Sequence, residues 1–237
     1  MMLATKVDPD GIAVLRLENE QRRNCLSIAM RDAISETLDQ WASDERVRVV
    51  VVTGSGSTFC AGFDLTEFAK PDLARPIRDS SRRYHRAVWG FAKPMIAAVN
   101  GAALSGGFDL ALLCDIRIAT TDAVFAHPEI KFGAPPLFTP LQWIVGAGIA
   151  RDLCLTGRKI DAAEAHRIGL VNTIADNALD EAMTTARLIA EAPQAALEAT
   201  KRYLTSSAGV TFDEAFAVEH DRVFDEFLLG AFGPGHS

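Results

Sequence analysis

The chain has 237 residues, 49% of them hydrophobic, which suits one sizeable domain or a domain with a small helical appendix. Its formal net charge of −7 argues against a general nucleic-acid binder, and no apolar run of about 18 residues is present to span a membrane. The first residues lack the long apolar core and cleavage site of a secretory signal, so we expect a cytoplasmic protein.

The hydrophobic pattern alternates between strand and helix along the chain. The predicted elements are, in order, a strand at 12–17, a helix from 27 to about 41, strands at 47–53 and 93–99, and a helix that begins near 105. The segment 70–79 has two prolines and dense charge, which predicts an exposed connection leading into a further helix that holds Tyr84 and Trp89. This alternation favours an α/β fold with parallel strands joined by crossover helices.

The last part of the chain has a mostly helical pattern. Two segments, Asp161 to Glu164 and Thr211 to Glu214, have the spacing of a helix capping box. We predict a core at 1–190 and a C-terminal helical region at 191–237.

The cysteines are Cys25, Cys60, Cys114 and Cys154. They are widely spaced and form no Cys-x-x-Cys pair, which indicates neither a metal site nor a disulfide framework. We expect them to behave as small buried hydrophobic residues.

Two Gly-rich segments, 54–65 and 100–109, each follow a predicted strand. Glycines allow a ligand to approach the main chain, and the first N–H groups of a helix carry the positive end of its dipole. Two such turns can supply the pair of N–H donors that stabilises a developing oxyanion, where the loss of one donor costs roughly 3 kcal/mol of barrier.

The chain resembles the crotonase, or enoyl-CoA hydratase/isomerase, superfamily in several ordered motifs. They are Phe59 to Leu65, Lys93-Pro94, Asn100 to Asp109, Cys114-Asp115, Phe125 to Glu129, Leu155 to Gly157, Ala162 to Ala165 and Gly169 to Val171. The resemblance covers about residues 10–205. It implies a spiral of ββα repeats with a C-terminal helical region, an acyl-coenzyme A thioester as ligand, and a homotrimer or a dimer of trimers.

The resemblance also implies roles for particular residues. The amides of Phe63 and Gly106 match the two oxyanion donors. Asp109 and Glu129 match the two carboxylates that flank one water in the hydratases, where both positions are glutamate. The side chain of Asp109 is therefore one methylene shorter than the glutamate found there in the hydratases. We leave His127 out of the catalytic set, because a histidine beside a proline turn is more often structural or exposed.

Coenzyme A contacts follow from the same resemblance. The implied residues are Arg22 and Arg23 for the phosphates, Ala61, Asp64 and Leu65 near the adenine, and Lys201 close to the cofactor. Coenzyme A would enter as part of the substrate, and neither a metal ion nor a prosthetic group is implied.

Two segments depart from the hydratase pattern. Residues 132–142 contain three prolines where the hydratases have a Gly-rich run, so the acyl pocket is expected to differ. Leu137 stands where the resembled dienoyl-CoA isomerases carry a further carboxylate. Residues 230–237 lack the charged, aromatic closing segment of the family, so we expect a lid or a subunit contact to be missing.

The predicted function is addition of water to a 2-enoyl-CoA. Alternatives are an enoyl-CoA isomerase of the same fold and a noncatalytic acyl-CoA-binding protein. A serine hydrolase is disfavoured, because the segment around Ser105 lacks the first glycine of a Gly-x-Ser-x-Gly elbow. A dinucleotide fold is weaker still, because residues 54–59 lack the third glycine of its fingerprint.

Overall fold

A computed structural model gives the fold and describes residues 2–206, 212–217 and 220. The strands are β1 (Leu3–Val7), β2 (Ile12–Leu17), β3 (Val49–Gly54), β4 (Thr58–Cys60), β5 (Met95–Val99), β6 (Ala102–Leu104), β7 (Ile116–Ala119), β8 (Val124–Ala126), β9 (Ile160–Asp161) and β10 (Thr173–Ile174). The helices are α1 (Ile28–Ser43), α2 (Leu65–Phe68), α3 (Ala74–Trp89), α4 (Gly106–Leu113), α5 (Thr139–Thr156), α6 (Ala162–Arg167), α7 (Ala178–Ala190), α8 (Gln194–Ser206) and α9 (Phe212–Phe216). Short 3₁₀ helices lie at Glu20–Arg22, Pro71–Leu73 and Pro128–Phe132.

The strands form two sheets. The larger has the order β1-β2-β3-β5-β7-β10, in which only the β1–β2 pair is antiparallel. The smaller has the order β4-β6-β8-β9, with β8 and β9 antiparallel and the other pairs parallel. The predicted α/β fold with parallel strands is confirmed.

The chain repeats one pattern three times. β3, β5 and β7 each enter the large sheet, and the strand that follows each of them, β4, β6 or β8, enters the small sheet before the chain turns into helix. This is the expected ββα arrangement. The sequence prediction placed plain strand-to-helix turns at 54–65 and 100–109 and was incomplete there, because β4 and β6 are only three residues long and too short for hydrophobic periodicity to mark them.

The large sheet is covered on both faces. Alternate residues of β3 point to opposite sides, so Val49 and Val51 pack under the small residues of α7, while Val50 and Val52 belong to the core formed with α1 and α3. Burial on both faces explains why β3 is a continuous valine run instead of an alternating pattern. The predicted division at 190 coincides with the end of α7 and stays a prediction as a domain boundary.

Several local predictions can be compared with the structure. The elements predicted at 12–17, 27–41, 47–53 and 93–99 are observed with ends shifted by at most two residues. Asp161 caps α6 by accepting a hydrogen bond from the Glu164 amide (2.8 Å), whereas the capping box predicted at Thr211 lies outside the described residues.

The exposed connection predicted at 70–79 was partly wrong, because α3 already begins at Ala74. Pro76 is tolerated there because amides of a first helical turn need no intrahelical acceptor.

The four cysteines are buried free thiols, as expected from their spacing. No helix in the described part of the chain has the length and hydropathy needed to cross a bilayer.

The N-terminus of α4 touches the backbone at the end of β4. A Cβ atom added to Gly107 would lie 2.2 Å from the carbonyl oxygen of Cys60 and 2.7 Å from its carbonyl carbon. Real Cβ atoms do not approach a carbonyl oxygen so closely, so only glycine permits this contact. The position of α4 relative to the small sheet therefore depends on Gly107.

We expect Gly107→Ala to lower the free energy of unfolding by about 3 kcal/mol, the upper end of the usual effect of overpacking. The matched control is Gly148→Ala at an exposed position of α5, because a Cβ added there would meet no described atom within 4 Å beyond its chain neighbours and the backbone of its own helix. That variant should be stabilised by about 0.5–1 kcal/mol. Urea unfolding of both variants tests the prediction, and equal effects would contradict it.

Candidate active site

The two Gly-rich turns meet at one place. A Cβ atom added to Gly62 would lie 2.8 Å from Cβ of Ser105 and 3.3 Å from the amide nitrogen of Gly106. A Cβ atom added to Gly106 would lie 2.6 Å from the ring of Phe63. The backbones that carry the two predicted oxyanion donors, Phe63 and Gly106, are therefore in direct contact.

Ser105 forms the sharp turn from β6 into α4. Its backbone has φ +50° and ψ −129°, which is rare for a residue with a side chain. Its N–H donates to the Ala126 carbonyl (2.9 Å), and its carbonyl accepts from the amides of Phe108 (2.8 Å) and Asp109 (3.0 Å). These bonds fix the start of α4, so that the Gly106 amide lies beside the turn at Gly62.

A cavity of about 340 Å³ opens beside this junction. Its walls come from the loop after β2, the turn after β4, the turn before α4 and the 3₁₀ helix after β8. The lining residues are Gln21, Arg22, Arg23, Cys25, Ala61, Phe63, Asp64, Leu65, Thr66, Ser105, Pro128, Glu129 and Phe132. The structure thus brings together most of the predicted site, namely Arg22, Arg23, Ala61, Phe63, Asp64, Leu65 and Glu129.

The two predicted carboxylates lie on either side of a histidine. His127 Nδ1 is 2.9 Å from Glu129 Oε1, and His127 Nε2 is 3.9 Å from Asp109 Oδ1. The His127 side chain is fully buried, and the Asp109 and Glu129 side chains are 10% and 16% exposed. Glu129 lines the cavity, whereas Asp109 lies behind the lining, in the first turn of α4.

His127 was not predicted as a catalytic residue, and the structure places it between the two predicted carboxylates, behind the cavity lining. Burial alone would lower the pKa of His127, but the hydrogen bond with Glu129 and the nearby charges of Asp109 and Glu129 outweigh it, so this pKa is raised above its usual 6.5. The sequence signal for this contact was the position of His127 two residues before Glu129, with Pro128 between them. The contact becomes predictable only when a 3₁₀ helix is known to begin at Pro128.

The Phe63 ring forms one wall of the cavity and is held from behind. The Arg31 guanidinium carbon lies 4.6 Å from the centroid of the ring, a cation–π distance, and the Phe68 ring stacks on it at 6.2 Å. Arg31 is itself fully buried and donates to the Leu26 carbonyl (2.6 Å). Burial lowers the pKa of Arg31. This support fixes the Phe63 ring over Gly106.

The predicted coenzyme A loop is anchored by Asn24. This buried side chain accepts from the Asn19 amide (2.9 Å) and donates to the carbonyls of Ser55 (2.9 Å) and Thr58 (2.7 Å). Arg22 projects from the same loop and pairs with Asp64 at 2.8 Å. The loop that carries Arg22 and Arg23 is thus fastened to the turn between β3 and β4.

Lys201 lies apart from the other predicted coenzyme A residues. Its ammonium group is 2.8 Å from Asp115 Oδ2 and 3.0 Å from the Lys93 carbonyl oxygen, and it is largely buried. It borders a second cavity, of about 240 Å³, between α4, α5 and α8. In this position Lys201 joins α8 to the segments that precede β5 and β7, and its contact with coenzyme A stays a prediction.

Comparison with known proteins agrees with this geometry. The spiral of ββα units with paired turns beside two carboxylates is the crotonase fold. The family described as enoyl-CoA hydratase/isomerase matches residues 8–228. The chain belongs to that family, as the motifs predicted.

Individual relatives are similar over nearly their whole length. The 2,3-dehydroadipyl-CoA hydratase of Escherichia coli is 36% identical over 213 residues, which are 88% of this chain and 84% of that protein. The crystal structure of an enoyl-CoA hydratase/isomerase from Xanthobacter autotrophicus superposes with a TM-score of 0.87 at 31% identity, covering 100% of this chain and 90% of the other. An enoyl-CoA hydratase from Bacillus anthracis gives a TM-score of 0.85 at 29% identity, covering 98% and 96%.

The surroundings of Lys201 lead to a prediction. Lys201→Met should lower the free energy of unfolding by roughly 2 kcal/mol, because it removes a charged hydrogen-bond donor from Asp115 and the Lys93 carbonyl. The exposed Lys159→Met is the control and should change stability little. Urea unfolding checks the stability, and a variant as stable as the parent chain would contradict the structural role. Calorimetric titration of the same variant with coenzyme A shows whether Lys201 also contacts the ligand.

Proposed function

We propose that the protein is an enoyl-CoA hydratase that adds water across the double bond of a 2-enoyl-CoA thioester. The observation that carries this proposal is the joint placement of two carboxylates, Asp109 and Glu129, beside the turns that hold the Phe63 and Gly106 amides. Hydration needs an acid and a base together with a stabilised enolate oxygen, and this site has candidates for each.

In the proposed reaction the thioester oxygen accepts hydrogen bonds from the amides of Phe63 and Gly106. This polarisation draws electrons from the double bond toward an enolate, so that the β-carbon accepts a nucleophile. Glu129 removes a proton from water, whose oxygen bonds to the β-carbon. Asp109 helps to hold the water and assists the transfer of that same proton to the α-carbon, so one water molecule supplies both added groups and both carboxylates return to their starting state.

The free oxygen of Glu129 supports its role as the base. Oε1 is engaged by His127, whereas Oε2 has no hydrogen-bond partner among the described residues. A buried carboxylate oxygen without a partner is unfavourable in an empty site and becomes satisfied when a water molecule binds to it. Glu129 also lines the cavity, where such a water would meet the substrate.

Coenzyme A would bind at the outer part of the same cavity. Arg22, which is paired with Asp64, and Arg23 line that part, and guanidinium groups suit phosphate oxygens. Ala61, Asp64 and Leu65 line the adjoining wall. In this proposal coenzyme A enters as part of the substrate, and neither a prosthetic group nor a metal ion takes part. The family resemblance also supports a homotrimer or dimer of trimers, with residues 191–237 contributing to the contacts.

An enoyl-CoA isomerase is the second candidate, and one observation favours it. Only Glu129 of the two carboxylates lines the cavity, as expected for a single base that moves a proton between two carbon atoms. The dienoyl type of isomerase is less well supported, because the position of its further carboxylate is occupied by the buried Leu137. A noncatalytic acyl-CoA-binding protein would use the same cavity without turnover.

The test is incubation with a short and a long 2-enoyl-CoA, followed by the absorbance of the conjugated thioester and by product mass. We expect a mass gain of one water. Glu129→Gln should lower kcat by roughly 10²–10⁴-fold, because the amide cannot accept the proton, while affinity for a saturated acyl-CoA stays within a few-fold. Glu191→Gln, at an exposed carboxylate after α7, is the control with unchanged activity.

Other products would identify the alternatives. An unchanged mass with a shifted double bond indicates isomerisation, and free coenzyme A indicates hydrolysis. Loss of that hydrolysis in Ser105→Ala would point to a serine hydrolase. Tight binding without turnover of either substrate would favour the noncatalytic protein.

A further inference from the structure

His127 adds to the two carboxylates a side chain that can carry a positive charge. His127 follows β8 directly, and its ring packs against Phe108 with 4.6 Å between the centroids. The titratable groups that face the ring are Asp109 from α4 and Glu129 from the 3₁₀ helix, one at each ring nitrogen. The imidazole thus lies between two acids in an apolar setting.

His127 itself does not border the cavity. Its side chain is fully buried, and the lining passes from Ser105 to Pro128 and Glu129 without including it. A bound substrate would therefore meet Glu129 first. Any influence of His127 on the reaction must pass through the carboxylates, which makes it a positioning residue.

We propose that His127 is an imidazolium that holds Glu129 through Oε1 and offsets the charge of the Asp109–Glu129 pair, leaving Glu129 Oε2 ionised for water. The inference rests on the proposed function and deepens it. The working unit of the site is then three groups, Asp109, His127 and Glu129, instead of two carboxylates.

The physical reason is the cost of burying charge. Asp109 and Glu129 lie at opposite nitrogens of one buried ring, and burial disfavours the charged form of a carboxylate unless an opposite charge lies within about 4–6 Å of it. A positive charge between them removes that penalty. The bond from Nδ1–H to Oε1 also fixes the orientation of Glu129, so that its second oxygen points away from the histidine.

The sign of the pH dependence follows from the raised pKa of His127. Below about pH 6.5 the histidine would be protonated even in the unfolded chain, and its pairing with the acids contributes fully to stability. As pH rises through the higher folded-state pKa, the imidazolium loses its proton and this contribution disappears. The same deprotonation leaves the carboxylates uncompensated, so kcat should fall on the alkaline side.

His127→Asn is the informative variant, because its amide N–H can replace the Nδ1–H donor to Glu129 without carrying a charge. We expect kcat to fall between about 10-fold and 100-fold with KM changed only a few-fold, and the alkaline decline of kcat to be lost. His127→Ala, which lacks both donor and charge, should be slower still. His166→Asn is the control, since His166 bonds only the Val171 carbonyl (3.0 Å) among the described contacts of its ring.

A pH profile of His127→Asn that keeps the alkaline decline of the parent enzyme would overturn the proposal, as would an unchanged kcat. Melting temperatures of all variants are measured alongside, so that loss of folding is recognised.

A measurement on the folded protein without substrate separates this inference from the proposed function. In an NMR titration of the histidine rings, His127 should titrate above its ordinary pKa, and Glu129→Gln should lower that value. A His127 pKa that does not respond to Glu129→Gln overturns the inference even if the enzyme hydrates enoyl-CoA. The expected titration with no turnover of any enoyl-CoA supports the charged unit and overturns the proposed reaction.

Discussion

The site depends on one steric constraint, the contact between the backbone at the end of β4 and the backbone at the start of α4. Gly62, Gly106 and Gly107 all lie at this contact, and an added Cβ at any of them would meet another atom at 2.8 Å or less. The contact places Phe63 beside Gly106, and the rotation of α4 that it fixes brings Asp109 toward His127. A larger residue at this junction would separate the two turns and with them the parts of the site.

The second determinant is the distribution of buried charge. Arg31 lies behind Phe63 with its guanidinium against the ring, and His127 lies between Asp109 and Glu129. Each of these two groups has neighbours that offset the loss of water, so neither is an isolated charge in the core. These groups also fix the cavity from behind, since neither Arg31 nor His127 is among the residues that line it.

Much of this arrangement could be predicted from the sequence, because local patterns carried it. The hydrophobic pattern identified β2, α1, β3 and β5, and the glycine spacing identified the two turns. The family motifs identified Phe63, Gly106, Asp109 and Glu129. What the sequence missed depends on contacts between distant segments. The three-residue strands β4 and β6 form only by pairing within the small sheet, β4 with β6 and β6 with β8, and His127 has a role only because α4 brings Asp109 to it. The position of Lys201 against Asp115 likewise depends on where α8 packs.

The anchoring of the Arg22–Arg23 loop bears on the entropy of ligand binding. Asn24 is buried with a left-handed backbone (φ +54°) and ties this loop to Asn19, Ser55 and Thr58. A loop already ordered in the free protein loses little backbone freedom when a ligand arrives, and only the arginine side chains must be immobilised. Asn24 is buried away from the cavity and still contributes to the affinity for a phosphate-bearing ligand. It does so by preorganising the loop that carries the two arginines.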